Sequence, residues 1–259
     1  MEKLGIIGGL GPAATARLFA QIVAYTDAQR DQDHLDITIL NRPSIPDRTA
    51  YLLGKPGAAS FVEPMQQAAF ELEAAGCAVL ATPCNTAHAR FAAIAAPLGH
   101  ARFVSMPAET VRFAAKLGCR RVGILATDGA LSAGVYQDAC AAAGIEAAVP
   151  ASDVQADVMR IIYDDVKAGR PADPVRVASV CDAMIDAGCD GLVLGCTELS
   201  LLGLPRRVRG VPVVDALDVL AWRCVGECGG RARDLEGEYG ADPSRTAVRD
   251  AAAAIAAAL

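Results

Sequence analysis

At 259 residues the chain is long enough for one large domain or two small ones, each with a real core. It is 53% hydrophobic, with 24 Gly and 14 Pro, which excludes a disordered or fibrous polymer. A net charge of −6 and a pI near 5.1 leave no basic surplus for nucleic acid, and no apolar run reaches the roughly 20 residues that span a bilayer.

The N-terminus, MEKLGIIGG, runs straight into a strand-like stretch without the features of a signal peptide, so a cytoplasmic location is expected. Nine cysteines, an odd number spread through apolar segments, read as reduced and mostly buried thiols. Cys224 and Cys228 lack a second pair that would complete a metal set, so no metal is expected.

In chain order, short apolar runs alternate with helical patterns, the mark of βαβ units around parallel sheets. Residues 4–7 read as a strand, GGLGP as a tight turn, and 13–25 as a helix with Leu18, Phe19 and Ile22 on one face. Gly9, Gly11 and Ala14 fit a loose dinucleotide fingerprint, but Pro12 stiffens the turn. The second strand, 37–40, runs into Asn41 rather than an acid that could grip a ribose. The turn is therefore read as a cradle in which Gly9 and its neighbours offer backbone N–H groups to a small carboxylate, with NAD as the lesser alternative. The loop NRPSIPDRT follows, broken by Pro43 and Pro46 and carrying Arg48. A helix over about 59–75 stops at Gly76, a buried strand covers 78–81, and residues 82–88 sit at its carboxyl end.

The second half repeats the layout: a strand at 121–126, a turn at 127–129, helices near 132–143, 154–168 and 175–187, and a strand at 191–194. A last strand at 212–214 leads into a helix through Trp222, which is expected to cross back onto the first half. This divides the chain into a first α/β domain (1–100 with 211–225) and a second (101–210). Residues 226–259, Gly- and charge-rich and then Ala-rich, read as a mobile linker and a short C-terminal helix outside the catalytic unit.

The most informative pattern is a repeated phrase. Residues 74–88 read AAGCAVLATPCNTAH and residues 186–200 read DAGCDGLVLGCTELS, with Gly76/Gly188, Cys77/Cys189 and Cys84/Cys196 each 112 apart (188 − 76, 189 − 77, 196 − 84). A duplicated unit delivers a thiol to the carboxyl end of a strand twice, and ligands bind there in open α/β sheets. Two thiols facing one site could take a proton from one face of a carbon and return one to the other. The plainer reading makes them two more buried core cysteines. Asn85, Thr86, Thr197 and Glu198 add hydrogen-bonding groups directly after the two thiols. Glu198 reads equally as a tuner of Cys196 or as an ordinary helix-start carboxylate, and His88 reads as a satisfied structural histidine.

The motifs GGLGPAAT, PSIPDRT, PCNTAH and GCTEL together resemble the aspartate/glutamate racemase superfamily over roughly residues 3–225. GGLGPAAT and GCTEL are similar to the aspartate racemase branch; the glutamate branch typically has an Asp-Ser pair at the start of its site and CTH in the second motif. The resemblance implies two similar parallel-sheet α/β domains related by duplication, an active site in the cleft between them, and a homodimer. It implies that Cys84 and Cys196 are the acid/base thiols and that Asn85, Thr86, Thr127 and Thr197 contact the α-carboxylate and amino group. Arg48 and Lys167 match the positions that hold a distal carboxylate. No cofactor is implied, and the expected partner is a small amino acid, aspartate first. Glutamate, a broader acidic set, a hydantoin, or a catalytically silent dicarboxylate-binding protein remain the alternatives. Retention of both cysteines favours racemisation, since relatives that lack one include broad-specificity racemases, decarboxylases and isomerases.

Overall fold

The apolar runs form two separate sheets, described here over residues 1–240 from a computed structural model. In the first half, β1 (Leu4–Gly8) is buried along its whole length. It pairs in parallel with β2 (Ile37–Asn41) on one side and β3 (Val79–Ala81) on the other. Helices α1 (Pro12–Tyr25), α2 (Arg48–Leu52), α3 (Val62–Ala74) and α4 (Phe91–Ala95) connect these strands, and β4 (Arg102–Phe103) adds to β3. The order is β2-β1-β3-β4.

The second half contains α5 (Met106–Lys116), β5 (Arg121–Leu125), α6 (Asp128–Ser132), α7 (Val135–Ala143), β6 (Glu146–Ala148), α8 (Ser152–Met159) and α9 (Pro174–Asp186). It continues with β7 (Gly191–Leu194), α10 (Thr197–Ser200), β8 (Arg207–Val208), β9 (Val211–Asp215) and α11 (Ala216–Glu227). Its order is β6-β5-β7-β9-β8, parallel except for the β8–β9 pair. Setting β8 aside, β5, β6, β7 and β9 occupy the places of β1, β2, β3 and β4, which is the duplication seen in the repeated phrase.

The duplication extends to the turn that feeds each thiol strand. After α3, Gly76 takes φ +83°, its N–H bonds Glu73 O, and Cys77 N–H reaches back to Leu72 O. After α9, Gly188 takes φ +84°, with Gly188 N–H on Ile185 O and Cys189 N–H on Met184 O. This is a glycine-terminated helix end, in which the left-handed residue lets two orphan carbonyls be satisfied and turns the chain into the strand. The same local chemistry therefore aims β3 and β7 alike.

Several expected boundaries move. Residues 211–215, grouped with the first domain on sequence, form β9 in the second sheet, where four of its five residues are buried and it pairs in parallel with β7. The following helix does cross back, as α11 packs on α1 as well as on α5. The first sheet continues past residue 100, since Arg102–Phe103 pairs with β3. The single helix read at 132–143 is two, broken at Gly134 with φ +69°, and the one at 154–168 becomes α8 followed by a π-helical stretch, Arg160–Val166. The Pro-rich loop hides α2, whose first turn is capped by the Asp47 carboxylate on Ala50 N–H at 2.6 Å.

The segment after α11 is not a mobile linker up to residue 240. Ala232 bridges Thr26, Arg233 N–H bonds Tyr25 O at 2.8 Å, and Leu235 and Tyr239 are fully buried. The buried Arg206 ties it down through Glu238 while pairing with Asp218 and the Tyr25 hydroxyl. The Ala-rich helix expected near the C-terminus lies outside the described residues. One apolar cluster runs through both halves, from Leu4 and Ile6 through Val111, Leu217 and Leu220 to Ile124 and Val193. None of the described helices is long and apolar enough to cross a membrane.

Candidate active site

The carboxyl ends of β3 and β7 open onto one pocket with about 310 Å³ of empty space. Its walls include Leu10, Asp47, Arg48 and Thr49 from the first half. Cys84, Asn85 and Thr86 come from the loop after β3, and Thr127, Tyr163, Lys167, Cys196, Thr197 and Glu198 from the second half. Both predicted thiols are thus in one site, each only 6% exposed, while the other seven cysteines are buried away from it.

The loop carrying Cys84 is fixed by its neighbours. Thr82 donates its hydroxyl to Ile7 O at 2.9 Å, tying the loop to β1. His88 sits 2.9 Å from Cys84 O through Nδ1, and its Nε2 accepts the Met106 N–H at 3.2 Å. A ring that accepts at Nε2 and donates at Nδ1 is the neutral Nδ1–H tautomer. Burial agrees, holding the His88 pKa at about 4. His88 is therefore a brace of the Cys84 backbone, a satisfied structural histidine.

The two thiols have opposite electrostatic neighbours. Burial works to lower the Arg48 pKa, yet it is raised overall, chiefly because the Cys84 sulfur and then Asp47 and Glu198 lie near the guanidinium. Arg48 is held in place by bonds to Ile45 O at 3.2 Å, Pro46 O at 3.0 Å and Leu10 O at 3.1 Å. The guanidinium therefore lies beside the Cys84 sulfur. On the other side, the Cys196 thiol donates to Glu198 Oε2 at 2.8 Å. Burial first, and then the Glu198 carboxylate, push its pKa well up, so Cys196 is a protonated thiol. Lys167 pairs with the second oxygen of Glu198. Burial acts to depress the Lys167 pKa, but Glu198 more than offsets it, so the ammonium stays charged.

Threonines bridge the two halves. Thr127 Oγ1 lies 3.1 Å from Thr86 Oγ1 and receives the Thr49 hydroxyl at 3.4 Å, while capping α6 through Ala130 N–H. A Cβ on Gly129 would lie 2.9 Å from Thr49 Cα, so α2 and α6 approach as closely as a glycine allows and narrow the cleft. Asn85 is 3% exposed; its Oδ1 accepts the Tyr136 hydroxyl and its Nδ2 has no protein partner.

Of the residues singled out on sequence, Cys84, Cys196, Arg48, Asn85, Thr86, Thr127, Lys167, Thr197 and Glu198 line this pocket, and Gly9 does not. Gly9 donates its N–H to Thr15 Oγ1 at 2.9 Å, and at φ +92° it packs so tightly that a Cβ would lie 2.4 Å from the Arg42 backbone. Its role is to turn the chain beneath the site, so the expected carboxylate cradle is not formed by that amide. Leu10 reaches the pocket instead. Sequence reading missed Asp47, Thr49 and Tyr163. The first two flank Arg48, and Tyr163 lies four residues before Lys167, whose ammonium sits 5.4 Å from the tyrosine ring centre, so adjacency was the available signal. Among the described residues no group of three His, Cys, Asp or Glu side chains is arranged to hold a metal ion.

Comparison with known proteins finds relatives of the whole fold. Residues 7–224 match a family described as Asp/Glu/Hydantoin racemase. An aspartate racemase from Picrophilus torridus superposes with a TM-score of 0.77 at 28% identity, over 93% of this chain and 100% of its own. An aspartate racemase homologue from Pyrococcus horikoshii shares the fold, with a TM-score of 0.70 at 24% identity over 88% of this chain and 100% of its own. A Pectobacterium carotovorum protein described only as uncharacterized is 38% identical over 108 residues, which is 40% of this chain and 71% of that protein.

Proposed function

We propose, from the premise that this chain belongs to the Asp/Glu/hydantoin racemase family, that it interconverts L- and D-aspartate by a two-thiol proton transfer that draws on no cofactor. The observation that carries the reading is the pair of buried thiols in one pocket, one beside a guanidinium and the other hydrogen-bonded to a carboxylate. In one direction Cys84 acts as the base and Cys196, whose thiol is hydrogen-bonded to Glu198, as the acid. The Cys84 thiolate takes the Cα proton from one face, and the Cys196 thiol gives its proton to the other. The enzyme is left with a Cys84 thiol and a Cys196 thiolate, the state suited to the reverse direction. A Cα–H is a weak acid, so charge developing on the α-carboxylate needs donors already in place. The Asn85 Nδ2 and the hydroxyls of Thr86, Thr127 and Thr197 are in position to serve.

Arg48 and Lys167 are the pocket's two cations, and a second carboxylate on the substrate would meet both. Each already has protein partners, so the clamp is a shared one, and Arg48 also serves Cys84. Two cations favour a dicarboxylate over an uncharged hydantoin ring. The test is enantiomer interconversion followed by chiral chromatography on chelator-treated, dialysed protein offered aspartate, glutamate, alanine and a hydantoin. Aspartate should turn over fastest and without additions. Glutamate or the hydantoin leading would move the substrate within the family, and activity on none would leave a binding protein.

A further inference from the structure

Tyr136 lies on α7 with its side chain fully buried, outside the walls of the pocket, and nothing in the proton transfer uses it. It nonetheless touches both thiol loops. Its hydroxyl bonds Asn85 Oδ1, one residue after Cys84. Its ring edge packs against Gly195, one residue before Cys196, so closely that a Cβ there would lie 2.8 Å from Tyr136 Cε2.

The hydroxyl bond has a directional consequence. An Asn side chain offers one acceptor and one donor group on opposite branches, and rotation by half a turn exchanges them. Burial holds the Tyr136 pKa far above its ordinary value, so the phenol stays protonated and can donate. With Oδ1 accepting from Tyr136, Nδ2 is left as the branch without a protein partner, in a residue that lines the pocket. A flipped amide would present an oxygen to the substrate, which would repel a carboxylate.

We infer that Tyr136 is a positioning residue: by donating to Asn85 Oδ1 it holds the Asn85 amide with its N–H groups toward the substrate carboxylate, while its ring spaces the Cys196 loop against the Cys84 loop. This rests on the racemase reading for the identity of the carboxylate.

The test is a double-mutant cycle of Tyr136→Phe and Asn85→Ala, read both as kcat/KM for aspartate and as the Kd of succinate, a dicarboxylate with no amino group to react. An oriented bond to a charged group carries roughly a tenfold to hundredfold effect, so Tyr136→Phe alone should cost about that much in both readouts. In the Asn85→Ala background it should change either by less than about twofold. Equal losses in both backgrounds would make Tyr136 a packing residue and overturn the inference. A readout free of Tyr136 variants is the Asn85 side-chain amide signal by NMR, assigned by its loss in Asn85→Ala. It should shift when succinate is added to the wild-type protein, and an unmoved signal beside measurable succinate binding overturns the inference. A wild-type protein that binds succinate but racemises no amino acid would overturn the racemase reading and leave Tyr136 to be judged on the Kd cycle. One that does neither would overturn both.

Discussion

The loop after β3 and the loop after β7 start from the same frame and end in opposite chemistry. Each follows a helix ended by a left-handed glycine, each rides on a short buried parallel strand, and each places a cysteine just past the strand's end. After Cys84 the chain continues into Asn85 and a helical turn braced by His88, with Arg48 opposite. After Cys196 it continues into Thr197 and Glu198, and the carboxylate takes the thiol proton bond while Lys167 balances it. The backbone duplication sets where the thiols are, and the neighbours that differ between the copies give them different surroundings, a guanidinium beside Cys84 and a carboxylate on Cys196.

The largest test of this comparison removes the thiols. Cys84→Ala and Cys196→Ala should each lower racemisation in both directions by roughly 10³-fold or more, the upper range for losing a general acid or base. Cys119→Ala and Cys140→Ala, which alter thiols buried away from the pocket, should stay near wild type. Substantial racemisation by either active-site variant would end the two-thiol account.

Next in size is Arg48→Ala, which should reduce kcat/KM for aspartate by roughly 30-fold or more, a typical cost of leaving a bound charge unpaired. Alanine, which has no distal carboxylate, should lose only the share due to the Cys84 contact. Equal losses would assign Arg48 wholly to the thiolate or the fold.

Glu198→Gln probes the other loop. It removes the charge that, after burial, most raises the Cys196 pKa. Cys196 must be protonated to act as the acid, so the alkaline limb of the kcat/KM profile for the direction it serves should move to lower pH. An alkaline limb that stays in place would show that Glu198 does not tune the thiol.

The smallest effect concerns the brace at His88. Its pKa falls from 6.5 unfolded to about 4 folded, so between those values the unfolded chain binds the extra proton. Stability is therefore full above pH 6.5 and is lost as pH drops toward 4, by about 2–3 kcal/mol from this group. Denaturant unfolding at pH 7.5 and 4.5 should show His88→Asn losing less than wild type over that interval. Equal acid sensitivity would mean that His88 takes its proton without unfolding.

What was legible in the sequence follows the range of each interaction. Cys84 and Cys196 could be placed because the glycine helix end and the buried strand before each are local, and the repeat states them twice. Strand β9 was put in the wrong sheet because its apolar residues specify burial but not a neighbour, and its partner β7 is chosen in three dimensions. Helix α2 was hidden by the prolines before it, although Asp47 was a readable cap. Gly9 was given a binding role because a glycine-rich turn before a helix looks alike whether its amides meet a ligand or, as here, Thr15. Residues 226–240 read as a linker by composition, yet Leu235, Glu238 and Tyr239 anchor them on α1 and Arg206. Tyr136 left no mark at all, since its link to Asn85 spans 51 positions.

The central claim, two thiols acting on opposite faces of one carbon, is tested most directly by racemising L-aspartate in deuterium oxide with metal-free, cofactor-free protein. Early in the reaction the Cα hydrogen of the product and of the recovered substrate is measured by mass spectrometry. Two opposed groups predict D-aspartate carrying one deuterium at Cα while the remaining L-aspartate stays protiated, because the proton is returned from a group other than the one that removed it. D-aspartate that keeps its protium, or activity that appears only after a metal or pyridoxal phosphate is added, would contradict the account.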